Sequence, residues 1–265
     1  MSVEKVELSS DCFRGLLGHS FITSQEEVLG ILFGDYDEGV VRIWGSKSLQ
    51  RNCKEKDRVE VDDIQLSEAM DHAEELSRSI QQASTVKGWF HSHPNITVFP
   101  SHVDIRTQHA LQSLGREFVG LIISCFSRDQ HNLEKIDLIA FQTINNKAKS
   151  IQVEIVSPLK LLKQPELMIM HDCFDYLLEV QRNILREEQQ AYESTKRNVN
   201  ALGAVYNASL FNLSISRLLQ KSLLPLYEYI KQKHSMDKER LDRIIQENKE
   251  IEAKLAARAA KEKST

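Results

Sequence analysis

The run Gly88-Trp89-Phe90-His91-Ser92-His93-Pro94, followed by Pro100-Ser101-His102-Val103-Asp104, restricts this chain more than any other segment. The β-favouring residues before Pro94 read as a strand, and proline stops it by removing a backbone donor. Alternate side chains on a strand point to one side, so His91 and His93 aim their imidazoles at one point. Asp104 lies eleven residues beyond His93, where a helix opening at Pro100-Ser101 could aim its carboxylate back. Two imidazoles and a carboxylate suit zinc and leave its fourth position open for water, the mark of a catalytic rather than a structural metal site. A lone histidine is ordinarily a hydrogen-bonded core residue, and a bare H-x-H recurs by chance. The whole string, H-S-H then S-x-x-D, is what points to a metal.

That string, H-x-H-x7-S-x-x-D, resembles the JAMM (MPN+) motif of zinc isopeptidases that remove ubiquitin or ubiquitin-like proteins. The family also carries an upstream glutamate in E-x-x-G-[IL]-L-x-G, and Glu27-Val28-Leu29-Gly30-Ile31-Leu32-Phe33-Gly34 matches it in full. The resemblance covers about residues 5–145 and implies the MPN fold, with one zinc ion per chain held by His91, His93 and Asp104. It implies that Glu27 takes a proton from the attacking water and passes it to the departing lysine amine. Glu26 is the neighbouring rival, but only Glu27 stands in the motif register, and adjacent strand residues face opposite ways. Ser101 by itself reads as a helix cap; the resemblance adds a role in stabilising the oxyanion of the tetrahedral intermediate. His102 falls outside the ligand pattern. His19, His72, His109, His131, His171 and His234 lack such spacing and are expected to be structural or solvent-exposed.

The longer string H-S-H-P-N-I-T-V-F-P-S-H-V-D-I-R-T-Q is, within that family, most similar to the lysine-63-specific branch found in the BRISC complex and its Abraxas-containing sister complex. That similarity implies a polyubiquitin substrate linked through lysine 63. It also implies a catalytically silent, Abraxas-like MPN partner, engaged through the C-terminal helices in a larger hetero-oligomer. A competing expectation is a non-catalytic scaffold, although silent relatives typically lack part of the metal set and this chain has all of it. A serine or cysteine hydrolase explains less. Cys125 sits inside an apolar strand, where a thiol tends to be inert, and no G-x-S-x-G elbow occurs.

Periodicity divides the rest of the chain. Val6-Glu7-Leu8 reads as a short first strand, and Ser9, Ser10 or Asp11 as the cap of a helix carrying Phe13, Leu16 and Leu17. Residues 27–34 and 39–49 are apolar runs separated by a Gly34–Gly39 turn region, a hairpin signature. Ala69, Met70, Ala73, Leu76 and Ile80 mark one face of a helix over 64–82. Strands are expected at 117–126, 136–144 and 151–156, the first apolar enough to be buried on both faces. Strands and helices mix without regular βαβ alternation, so the fold class is α+β: an α/β sandwich with a mixed sheet. The charged segment 51–63 reads either as solvated or as a substrate contact.

After Pro158 the spacing becomes helical throughout. Residues 1–158 are therefore expected to form the metalloprotease domain and 159–265 a helical region for dimerisation and assembly. Pro225 is expected to kink or restart a helix. Beyond it Leu241, Ile244, Asn248, Ile251 and Leu255 recur at heptad spacing, with a polar residue at one seam position to fix register.

With 265 residues and 41% hydrophobic content the chain can build a proper core. A formal net charge of −4 with dispersed basic residues and no stacking-aromatic motif argues against nucleic acid. Cys12, Cys53, Cys125 and Cys173 form no C-x-x-C pair and read as reduced thiols. The start M-S-V-E-K-V-E-L lacks a signal-peptide pattern, and no apolar run reaches membrane-span length. A cytoplasmic and nuclear protein is expected, with the N-x-S/T triplets at Asn95, Asn207 and Asn212 unglycosylated.

Overall fold

A computed structural model describes residues 3–23, 26–50, 61–126, 135–163, 173–196 and 199–262. The charged stretch expected to be solvated or substrate-facing lies mostly outside these residues.

Among the described residues seven strands build one mixed sheet: β1 (Lys5–Ser9), β2 (Leu29–Asp37), β3 (Val40–Ser48), β4 (Thr85–Pro94), β5 (Val119–Phe126), β6 (Lys135–Ile144) and β7 (Lys147–Val156). Around the sheet the order is β1-β3-β2-β4-β5-β6-β7. β1 pairs in parallel with both β3 and β7, which closes the sheet into a barrel. β1 thereby covers Val40–Ile43 of β3 and Gln152–Val156 of β7, the segments that would otherwise be sheet edges. The mixed α/β architecture is the expected one. Closure was not legible beforehand, because a five-residue strand carries too little periodicity to reveal two partners.

Two hairpins turn through a pair of residues in left-handed backbone. Glu38 (φ 45°) and Gly39 (φ 88°) join β2 to β3, and Asn145 (φ 51°) and Asn146 (φ 59°) join β6 to β7. Two consecutive positive-φ residues twist the chain in the sense flanking strands require. The β2–β3 turn is therefore two residues long rather than the whole Gly34–Gly39 segment. Gly34 lies within β2 at a register shift, where a Cβ would come within 1.7 Å of the Arg42 carbonyl oxygen. Glycine there permits close backbone approach, not a turn.

The sheet separates two apolar layers. On one side α2 (Asp63–Ile80) lays Ala69, Ala73, Leu76 and Ile80 against Ile31, Phe33, Trp44, Trp89 and Ile122. On the other, α1 (Ser10–Ser20) and α5 (Cys173–Thr195) cover Leu8, Leu32, Ile43, Phe90, Leu121 and Ile123 with Leu16, Tyr176 and Val180. Trp89 and Phe90, adjacent on β4, thus enter opposite layers. By the same alternation His91 and His93 share the Trp89 side. Burial of large side chains on both faces, each contributing about 1.5–3 kcal/mol, makes β4 one of the most firmly held strands.

α3 (His102–Leu111) crosses over between the parallel neighbours β4 and β5. Ser101 caps it: its Oγ accepts from the Asp104 N–H at 3.2 Å, and its own N–H donates to Asp104 Oδ2 at 2.6 Å. A short helix α4 (Pro158–Leu161) follows the barrel.

The chain forms two compact units, Met1–Asn212 and Leu213–Thr265. In the first, α5 packs on α1 and β3, so this part of the 159–265 segment lies against the barrel. α6 (Ala201–Leu218) continues into a π-type turn at Leu219–Leu223 and then α7 (Leu224–Glu262). In that turn the Leu224 N–H reaches the Leu219 carbonyl, one residue further than an α-helical bond. Pro225 supplies no N–H of its own, so the turn absorbs the interruption and the helix resumes. No helix among the described residues is long and apolar enough to cross a membrane.

Candidate metal centre

His91, His93 and Asp104 converge, and all three are buried. His91 Nε2 lies 3.1 Å from His93 Nε2 and 3.3 Å from Asp104 Oδ1, and His93 Nε2 lies 3.6 Å from Asp104 Oδ2. Tetrahedral zinc with bonds of about 2.0–2.1 Å separates its ligand atoms by roughly 3.4 Å. One ligand atom from each of the three residues lies within 4.8 Å of the other two, a cluster of the size such an ion needs. Three donors leave one tetrahedral position for water, and the N/N/O donor set is one that zinc accepts.

Each donor is held by its own local structure. His93 Nδ1 lies 2.6 Å from the Thr97 carbonyl oxygen, so its proton sits there and leaves Nε2 with a free lone pair. This is the usual way a metal-binding imidazole is oriented. The Thr97 loop is itself tied down: Asn95 N–H donates to Cys125 O at 2.9 Å, and the Ser124 hydroxyl donates to Ile96 O. Asp104 owes its aim to the cap of α3, since the Ser101 N–H grips Oδ2. His91 is placed differently, with its ring stacked on Trp89 at 4.6 Å between centroids and 17° between planes.

Glu27 enters from the segment just before β2. Its neighbour Val28 donates its N–H to Ser92 Oγ at 3.0 Å and accepts from the Ser92 N–H at 2.9 Å. Ser92 lies between the two histidines, so these bonds register Glu27 against the metal ligands. Glu27 Oε1 stands 3.8 Å from His93 Nε2, close enough to share a water with the metal position.

Electrostatics follow from burial and neighbours. Burial pushes the His91 imidazole toward its neutral form, against the pull of Asp104. Burial acts on His93 too, but Asp104, the Thr97 carbonyl and Glu27 together outweigh it and raise its pKa. Asp104 is held far below the usual carboxylate range, because the two imidazoles and the Ser101 N–H overcome the cost of burial. The site therefore presents an ionised carboxylate beside imidazoles of unlike proton affinity.

The residues singled out in the sequence are brought together here, Ser101 as the cap beside Asp104 included. His102 is exposed and outside the cluster; His19 bonds Tyr176 Oη at 2.8 Å through Nδ1 in the other layer, and His72 leans on Phe33. Ser92, Trp89 and the Thr97 carbonyl escaped the sequence reading. A backbone acceptor leaves no signal in a residue pattern, whereas Ser92 could have been suspected from its place between the histidines.

The chain's N-terminal portion matches the model of the JAB1/Mov34/MPN/PAD-1 ubiquitin protease family over residues 1–117, so fold and site together define a JAB/MPN-type metalloprotease domain. Residues 173–251 match the BRCC36 C-terminal helical domain. The chain is 33% identical to lysine-63-specific deubiquitinase BRCC36 of Xenopus tropicalis, covering 97% of this chain and 99% of that one. Likeness to the same-named proteins of Camponotus floridanus (32% identical, 95% and 96% covered) and Rattus norvegicus (30%, 96% and 96%) is similar. This chain belongs to the BRCC36 family of JAB/MPN proteins.

Proposed function

We propose that the protein is a zinc-dependent isopeptidase that cleaves lysine-63-linked polyubiquitin. The observation that carries the reading is the Glu27 carboxylate, 3.8 Å from His93 Nε2, beside a complete three-donor set. The relatives' shared name supplies the linkage.

His91, His93 and Asp104 would hold the ion. Zinc, when bound, supplies Lewis acidity and lowers the pKa of water toward about 7. The chain's own residues do the rest. Glu27 Oε1 accepts the proton of the attacking water and returns it to the lysine ε-amine, which departs well only when protonated. The Ser101 hydroxyl, at the exposed mouth of α3, stabilises the oxyanion. Residues 1–158 carry the chemistry, and 159–265 assemble the complex with a catalytically silent MPN partner.

The test is a panel of ubiquitin chains of defined linkage, incubated with the full chain alone and with such a partner. Cleavage confined to lysine-63 linkages and abolished by a chelator is expected. Glu27→Gln should lower kcat by at least about 10²-fold while zinc content stays stoichiometric. Full cleavage by that variant would exclude Glu27 as the proton carrier.

A further inference from the structure

The two imidazoles of the metal centre are fixed by unlike means, and the difference has a structural cause. His93 is oriented by the bond from Nδ1 to Thr97 O. His91 Nδ1 is buried and meets no hydrogen-bonding protein atom among the described residues. A metal-binding imidazole ordinarily donates its second nitrogen to a carbonyl, carboxylate or water, which sets its tautomer and ring plane. What the described residues offer the His91 ring is a near-parallel indole, Trp89, itself wholly buried.

The indole is not free to turn. Its Nε1–H donates to Gln108 Oε1 at 2.7 Å. Gln108 is completely buried, and its Nε2 donates to Phe118 O at 2.9 Å and to Gln112 Oε1 at 3.1 Å. Both side-chain ends of Gln108 are thus committed, so its amide orientation, and through it the indole plane, is determined. Gln108 lies on α3 four residues after Asp104, on the same helical face. One helix therefore supplies the third metal ligand and fixes the ring against which the first is stacked.

We infer that Trp89 is a positioning residue for the metal centre. Held by Gln108, its indole sets the plane of His91 by stacking. The inference rests on the reading of His91, His93 and Asp104 as metal ligands, and it assigns Trp89 and Gln108 a role that neither residue type nor spacing announces. Trp89 touches no substrate in this scheme. It acts through His91.

The experiment is titration of the metal-stripped full chain with Co(II), a spectroscopic stand-in for zinc, following the d–d absorption that reports coordination geometry. Trp89→Leu, which keeps an apolar side chain but no ring, should bind Co(II) about 10- to 100-fold more weakly and with an altered d–d spectrum. Trp89→Phe retains a ring to stack on and should recover most of the affinity, a rescue that a mere volume effect on folding would not reproduce. Gln108→Met, near in volume but without the hydrogen bond, should fall between them. Should Trp89→Leu not fold, Gln108→Met and the natural chain decide. In the natural chain, ring current must move the His91 carbon-bound ring protons upfield of those of His93 in an NMR spectrum. Natural affinity and spectrum in folded Trp89→Leu or Gln108→Met, or absence of that upfield displacement, would overturn the inference while leaving the metal centre intact. No Co(II) binding by the natural chain would overturn the metal centre and this inference with it.

Discussion

Ser101 shows how several roles can rest on one residue. Its Oγ caps α3, and its N–H holds the ligand carboxylate of Asp104. Losing such a cap costs about 1 kcal/mol, and losing an oxyanion donor costs about 10²-fold in kcat. Ser101→Ala should show both losses, in a denaturant melt and in chain cleavage. Ser101→Gly is nearly as good a cap and has no hydroxyl, so its stability should stay within a few tenths of a kcal/mol of the natural value while kcat falls. Equal kcat for Ser101→Gly and the natural chain would reduce Ser101 to a cap.

Among the elements, α5 is the one whose position the sequence concealed. Tyr176 Oη ties it to His19 Nδ1 of α1 at 2.8 Å, and Asn183 Nδ2 to Ser48 Oγ at 2.7 Å and Lys47 Nζ to Glu179 at 3.1 Å tie it to β3 of the barrel. Ser48 pairs with Gly30, three residues from Glu27, so α5 braces the strand that delivers the proton carrier. Burial pushes the Tyr176 hydroxyl well above its usual pKa, so it remains a neutral hydrogen-bonding group at all working pH values. Tyr176→Phe removes only this hydroxyl and should destabilise the chain by about 1 kcal/mol in urea. The same variant should make the α1 and α5 amides exchange faster with solvent than those of β4. Uniform acceleration throughout would mean that α5 opens only with the whole domain.

At the scale of the whole molecule, barrel closure depends on β1, and a buried carboxylate helps to seal it. Glu7 on β1 accepts from Lys5 and Lys160, each at 3.0 Å. Burial alone would raise its pKa, but these two ammonium groups reverse the effect and lower it. A carboxylate depressed in the folded state contributes stability that is present above its unfolded value of about 4.3 and lost as pH falls through the folded one. Glu7→Gln should therefore cost about 1 kcal/mol at pH 7 and progressively less as the medium is acidified, read from a series of urea melts. In the second unit, Leu241, Ile244, Ile251 and Leu255 recur at heptad spacing and are all exposed. Deleting the chain after Pro225 should abolish association with an MPN partner and lower cleavage of lysine-63 chains. A truncated chain that cleaves at the full rate as a monomer would contradict the assembly role of this helix.

Residue types and spacing, with the motif they match, were enough to pick out the residues that the fold brings together at the candidate site. A two-residue spacing on a strand places both imidazoles on one side, and the E-x-x-G-I-L-x-G register separates Glu27 from Glu26, because both signals are local and periodic. The cap-and-ligand pair Ser101 and Asp104 was legible for the same reason, lying within one helical turn. Tertiary structure alone decided what joins distant segments. The parallel docking of β1 between β3 and β7, the bracing of β2 by α5, and the Gln108–Trp89–His91 stack all join residues that share no sequence periodicity. Side chains and backbone groups meet there only because a closed barrel brings them within about 3–5 Å, where hydrogen bonds and ring contacts act.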